Sequence, residues 1–324
     1  MEKKKTAEGE AGRGGDEAAV SADLCALRLA DNADEGAGAE EQAKAGQEVA
    51  DDDDVSSLFD EPPPRPDCDI CMLSLPIQAG FQSYLACCGK TICTGCVYAQ
   101  TTTILKTNKK RIEKAKKEQL PPPPLLELTC SFCRTEMPEP DERGDEQILD
   151  RTQKRVEMKD SDALLQLSHY YRDGQYGLSP DEGKYLELIH QAASLGSADA
   201  HSNLGNIYRL GKCGVSPDIE KARSHFEAAA KRGHVTSRHN LGAFDYLNGN
   251  KKTAVRHWRL SAAAGYQPSV DLLIKCFQKG LLSKESLEKS IRAKHEACEA
   301  IRSEDRDLAW KMMIKNGENV KSYY

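Results

Sequence analysis

Apolar and polar positions in the second half of the chain follow a helical rhythm that repeats. From about residue 160, DALLQLSHYYRDGQYGLSPDEGKYLELIHQAASLGS is followed by DAHSNLGNIYRLGKCGVSPDIEKARSHFEAAAKRGH. Leu167, Leu204 and Leu241 stand 37 residues apart. Tyr171 returns as Tyr208, Gly174 as Gly211, Gly177 as Gly214 and Pro180 as Pro217. Gly196 returns as Gly233 and, after a five-residue shortening of the third unit, as Gly265. A degenerate fourth unit starts near Ser269, with Leu273 and Phe277 at the equivalent places. A fixed period in the thirties predicts stacked helical hairpins, each covering the apolar face its neighbour leaves open.

Local punctuation agrees. Ser179-Pro180 and Ser216-Pro217 read as an N-cap followed by proline at the first helical position. Gly196, Gly233 and Gly265 fall where a second helix ends and the backbone needs positive φ. Residues 283–303 predict a closing helix, with Ser283 as its cap and Leu287, Ile291, Cys298 and Ile301 on one face. Residues 304–324 read as a C-terminal tail. The core A-x-x-x-L-G-x-x-Y-x-x-G (Ala200, Leu204-Gly205, Tyr208, Gly211) leads to G-V-x-x-D-x-x-K-A (Gly214-Val215, Asp218, Lys221-Ala222) and A-A-x-x-G (Ala229-Ala230, Gly233). This pattern resembles Sel1-like repeats, relatives of tetratricopeptide repeats. The resemblance spans residues 160–303 and implies a mainly α fold, a solenoid whose surface docks a protein target. The third unit has Asp245 in place of the tyrosine and lacks the G-V-x-x-D loop, so its hairpin turn is expected to be tighter.

The first 60 residues are different. They hold 17 Asp/Glu against 6 Lys/Arg, a net of −11, whereas residues 61–324 hold 34 against 39, a net of +5. Poor in large apolar residues, residues 1–60 read as a disordered acidic tail with a weak helix near Leu24–Leu29. Asp51–Asp54, followed by Val55 and Leu58-Phe59, reads as a short docking motif or as a solubilising linker. Pro62–Pro64 and Pro66 stiffen the approach to a cysteine-rich region. Overall the chain is 39% hydrophobic and 6% aromatic, too polar for one large aromatic core. No run approaches the roughly eighteen apolar residues of a membrane span, and MEKKKTAEGE has no apolar region of a secretory signal. A cytoplasmic or nuclear location, with thiols kept reduced, is expected.

That expectation makes cysteine the main chemical clue. Eight of the twelve cysteines lie between Cys68 and Cys133, whereas all eight histidines lie at position 169 or later. The pairs are Cys68-x-x-Cys71, adjacent Cys87 and Cys88, Cys93-x-x-Cys96 and Cys130-x-x-Cys133. Eight thiolates suit two tetrahedral Zn²⁺ sites of four sulfurs each. The order of pairs resembles an all-cysteine RING finger over residues 61–140. In that family the first and third pairs share one metal, and the second and fourth share the other. The resemblance therefore implies Cys68, Cys71, Cys93 and Cys96 at one site and Cys87, Cys88, Cys130 and Cys133 at the other. An alternative alignment makes Cys88 the third ligand and puts Lys90, a protonated and poor ligand, at the fourth position.

The same resemblance implies an E3 ubiquitin transferase that positions a charged ubiquitin-conjugating enzyme and ubiquitin without covalent chemistry of its own. It would use Ile70, then Val97 or Tyr98, then Met137-Pro138, with Arg134 after the last ligand bridging to ubiquitin. The competing class is a non-enzymatic scaffold in which finger and repeats are both docking surfaces. A third class, nucleic-acid binding, would rest on the basic helix at 106–117 (KTNKKRIEKAKK), which lacks interleaved aromatics. That stretch otherwise reads as a solvated helix face or a nuclear-localisation patch, ended by Pro121–Pro124. His225 and His257 fall at equivalent repeat positions and read as packing. Cys213, Cys276 and Cys298 read as interior thiols. No phosphate-binding glycine loop and no nucleophile–histidine–acid spacing is present.

Overall fold

A computed structural model describes residues 57–59, 63–77, 79–139 and 141–315. The disorder and weak helix expected in residues 1–60 lie outside these, apart from Ser57–Phe59, which form a 3₁₀ turn.

The repeats fold as paired antiparallel helices: α3 (Ser161–Asp173) with α4 (Glu182–Ser194), and α5 (Ala198–Leu210) with α6 (Ile219–Lys231). Next come α7 (Val235–Leu247) with α8 (Lys251–Ala263), and α9 (Gln267–Gln278) with α10 (Lys284–Ala300). An earlier helix, α2 (Glu142–Glu157), packs on α3. Residues 211–218 link α5 to α6, whereas only 248–250 link α7 to α8, which is the tighter third turn.

The helix starts differ from expectation. α4 and α6 are capped by Asp181 and Asp218, whose carboxylates accept from the amides of Lys184 and Lys221. The Ser-Pro pairs stand before the cap. Pro180 and Pro217 instead cover the left-handed Gly174 and Gly211, where a Cβ would stand 2.9 and 2.7 Å from the proline Cδ. A carboxylate at the N-cap satisfies an orphan amide and meets the positive helix end, so it outcompetes the hydroxyl two positions earlier.

Leu204 and Leu241 are fully buried and Leu167 nearly so. The Leu-Gly step matters most where aromatics cross. A Cβ at Gly205 would stand 2.6 Å from the Phe226 ring, and one at Gly242 would stand 2.5 Å from Trp258 Nε1. Each large side chain buried this way contributes about 1.5–3 kcal/mol.

The cysteine-rich region is built around a small hairpin. β1 (Gln82–Leu85) pairs antiparallel with β2 (Lys90–Cys93), Leu85 opposite Lys90. β2 runs directly into the 24-residue α1 (Thr94–Lys117). The long gap before the last cysteine pair is this helix outward and a proline-rich return. Asn108 fixes the return by exchanging two hydrogen bonds with the backbone of Leu126, at 2.8 and 3.0 Å. Lys109, Lys110, Lys114, Lys116 and Lys117 are exposed along the outer half of α1.

Residues from 304 onward, expected as a tail, begin with helix α11 (Glu304–Lys315), which packs against α1. The cysteine-rich region also meets the start of the repeats at Tyr84, whose hydroxyl donates to Asp160 Oδ2 at 2.8 Å.

Candidate functional site

The first and last cysteine pairs sit on matching loops. Cys68 N–H donates to Leu73 O and Met72 N–H to Cys68 O, both at 2.9 Å. Cys130 N–H donates to Thr135 O at 2.8 Å and Arg134 N–H to Cys130 O at 3.1 Å. Met72 and Arg134 both take positive φ, 57° and 62°, which folds each loop tightly enough to turn both sulfurs the same way. Cys87 and Cys88 occupy the β1–β2 turn, closed by Cys88 N–H and Gly89 N–H on Leu85 O. Cys93 ends β2 and precedes α1, and Cys96 lies in the first turn of that helix.

These elements gather the eight sulfurs into two groups of four: Cys68, Cys71, Cys93 and Cys96, and Cys87, Cys88, Cys130 and Cys133. Within each group all sulfurs lie within 4.8 Å of one another. The adjacent Cys87 and Cys88 both reach the second group. Lys90 Nζ instead lies 3.4 Å from Asp69. Individual separations are 3.7 Å for Cys68–Cys96, 3.8 Å for Cys71–Cys93 and 3.7 Å for Cys88–Cys130. A disulfide needs about 2.05 Å, whereas a tetrahedron with Zn–S near 2.3 Å has edges of about 3.75 Å. The donor set and its spacing fit a metal ion in each group.

Four crowded sulfurs cannot all ionise unaided. Burial pushes the Cys96 thiol up, as do Cys93 and Cys68 beside it. Burial likewise pushes Cys87 up. At Cys68 burial opposes ionisation, but amide bonds from Cys71, Cys93 and Ile70 outweigh it and bring the thiol down to about 7. Cys133, exposed and bonded to Thr135, is drawn down to about 6. A bound cation would compensate the crowded charge.

Beside the first group runs an open groove of about 440 Å³ lined by Ile70, Cys96, Gln100, Ile104, Ser131 and Asp305 among others. Ile70 is 40% exposed. Gln100 ties α1 to the last cysteine loop, donating to Thr129 O at 2.6 Å and accepting from Ser131 Oγ at 3.0 Å. Neither Val97 nor Tyr98 lines this groove; Val97 packs on the cysteine core, and the next helical turn supplies the wall. Arg134 and Met137 are exposed outside it.

Arg306, on α11, also reaches the first group. Its guanidinium donates to Ile301 O at 2.8 Å, Ser74 O at 3.0 Å, Leu73 O at 3.2 Å and Cys71 Sγ at 3.5 Å. No local sequence signal marks it, because its partners in the cysteine module lie some 230 positions earlier.

The Sel1 repeat family matches residues 161–197, 198–234 and 237–266. Residues 161–266 are a Sel1-repeat region. Two solved structures are similar. A Sel1 repeat protein from Oxalobacter formigenes is 21% identical, with 52% of this chain and 65% of that one covered, at a TM-score of 0.39. A protective antigen of uropathogenic Escherichia coli displaying an SLR fold is 22% identical, with 55% and 45% covered, at 0.38. This chain thus spans less than two thirds of either protein. No curated protein matches it. No helix among the described residues is long and apolar enough to cross a membrane.

Within the Sel1 region the equivalent histidines serve packing. His225 stacks on Tyr208, ring centroids 5.5 Å apart. His257 is fully buried, with Nε2 3.4 Å from Asp245 Oδ2. Asp245, standing where the repeat has tyrosine, also receives Arg223 at 3.0 Å. The unusual acid is therefore an interior ion-pair partner. Cys276 and Cys298 are buried, as expected of interior thiols, whereas Cys213 is only half-buried, in the turn after α5.

Proposed function

We propose that this protein is a non-enzymatic interaction scaffold in which a zinc-held cysteine module is joined to a Sel1 solenoid that docks protein partners. The Sel1 region carries this reading, because stacked hairpins present a long ordered surface. Two Zn²⁺ ions would be structural, each held by four thiolates, leaving no open position for a reacting water. The alternation of pairs supports a RING-like arrangement of that module.

A second reading, a RING-type E3 ubiquitin transferase, is favoured by one observation: Ile70 is exposed at the groove beside the first cysteine group. Ile70 would then dock the conjugating enzyme, and Arg134 would contact ubiquitin. The test is ubiquitin transfer by the full chain with a panel of charged conjugating enzymes, alongside metal content. The scaffold reading expects two zinc per chain and no transfer. Transfer that disappears in Ile70→Ala, with zinc retained, overturns it in favour of the ligase.

A further inference from the structure

The short turn Ser57–Phe59 is seated on the Sel1 repeats rather than on the cysteine module that comes next in the chain. Leu58 packs onto the buried cluster of Ala222, Phe226, Ala230 and Leu241. Its carbonyl accepts from Arg238 Nη1 at 2.8 Å, while Arg238 Nη2 donates to Ala230 O at 2.9 Å. The Phe59 ring lies 4.6 Å from the His257 ring, and the Arg256 guanidinium covers it at 4.2 Å.

Three features make this a recognition site. Arg238 is 3% exposed and, among the described residues, forms no ion pair; its guanidinium is spent on carbonyls, one of them supplied by the turn. The positions 37 and 74 residues earlier are His201 and Leu164, so the buried guanidinium belongs to this unit alone among the three. A bond to a backbone carbonyl is indifferent to side chain, whereas the Phe226–Leu241 surface selects an aliphatic residue and the His257–Arg256 pair selects an aromatic one. Charge adds a flank: α8 contributes Lys251, Lys252, Arg256 and Arg259 and no acid, while Asp51–Asp54, Asp60 and Glu61 bracket the seated residues in sequence. Leu58 and Phe59 are both half-buried, as a contact that can exchange requires.

We propose that this face of α6, α7 and α8 binds linear protein segments presenting adjacent leucine and phenylalanine beside acidic residues, and that Leu58-Phe59 holds the site in cis until such a partner displaces it. The proposal rests on the repeats acting as a docking surface and names the chemistry of what they dock. Zinc content and ubiquitin transfer do not bear on it, so the two readings fail separately.

The probe is a fluorescein-labelled peptide of residues 51–62, DDDDVSSLFDEP, measured by anisotropy against the full chain. Leu58→Ala/Phe59→Ala is expected to bind it at least tenfold more tightly than the wild type, whose own turn competes. Adding Arg256→Ala, or replacing the peptide's Leu-Phe with Ala-Ala, should weaken binding tenfold or more. A second arm needs no variant: excess unlabelled peptide should raise amide hydrogen exchange at Ser57–Phe59 of the wild-type chain. A peptide that binds the double variant no better than the wild type, and leaves that exchange unchanged, overturns the proposal.

Discussion

Arg306 Nη2 lies 3.5 Å from Cys71 Sγ, so the last described helix ends its packing on one of the sulfurs expected to hold metal. The same guanidinium meets three carbonyls, and its aliphatic part fills the space over Gly95, where a Cβ would stand 2.7 Å from Arg306 Cγ. Arg306 thereby joins the two ends of the described chain around the cysteine module. Arg306→Ala should destabilise the protein by roughly 2–4 kcal/mol, because charge-assisted bonds worth about 1.5–3 kcal/mol each are lost and carbonyls stay buried unmet. Gly95→Ala should cost about 1–3 kcal/mol by overpacking the same contact without removing any charge. Urea unfolding measures both, and hydrogen exchange should show α11 released first. Unchanged protection of α11 in either variant would refute the joint.

Metal content separates the two cysteine groups. Cys96→Ser and Cys87→Ser should each lower zinc from two ions to about one per chain by elemental analysis, whereas Cys213→Ser, outside both groups, should leave two. A structural zinc of this kind is worth roughly 10–16 kcal/mol of apparent binding, so chelation should also expose residues 63–139 to protease while the Sel1 region keeps its helical circular dichroism. Two zinc retained by Cys87→Ser would show that the adjacent cysteines do not share an ion.

The repeat and its turns are legible in the sequence because the solenoid is assembled from near neighbours. The 37-residue period sets the helix starts, and the missing G-V-x-x-D loop announces the tighter third turn. The caps fall two residues from where Ser-Pro would place them, because Ser-Pro and Asp both suit a helix start and propensity alone does not rank them. The grouping of the cysteines comes from family resemblance rather than spacing, since adjacency of Cys87 and Cys88 leaves Lys90 as a rival; the β1–β2 turn is what carries both sulfurs to one place. Arg306 on Cys71 and Phe59 on His257 are illegible for a different reason. Both are contacts across some 200 residues between modules, and no periodicity encodes them.

Asp160 links the modules through both of its oxygens. Oδ1 accepts from the amides of Asp162 and Ala163 and caps α3, while Oδ2 accepts from Tyr84. Tyr84→Phe removes only the second role and should cost about 0.5–1.5 kcal/mol. Asp160→Ala removes both and should cost about 1 kcal/mol more, the usual worth of a cap. Thermal unfolding of the two single variants and the double variant checks this. Additive effects of the singles would deny the Tyr84–Asp160 bond.

Acid should loosen the Sel1 region through a buried histidine. His239 is 1% exposed, its Nδ1 is 2.8 Å from Ser269 Oγ, and burial pushes it down to about 4. The unfolded chain takes up a proton near pH 6.5, the folded one only near pH 4, so between those values the unfolded state binds more protons. Stability is therefore full above about pH 6.5 and falls as pH drops through that window, by up to about 1.4 kcal/mol per pH unit for this one group. His239→Asn keeps a polar atom toward Ser269 and removes the titration. The variant should be less stable than wild type at about pH 8, yet its urea midpoint should change less between about pH 6.5 and 4. Parallel pH profiles for the two proteins would assign the acid sensitivity to other groups.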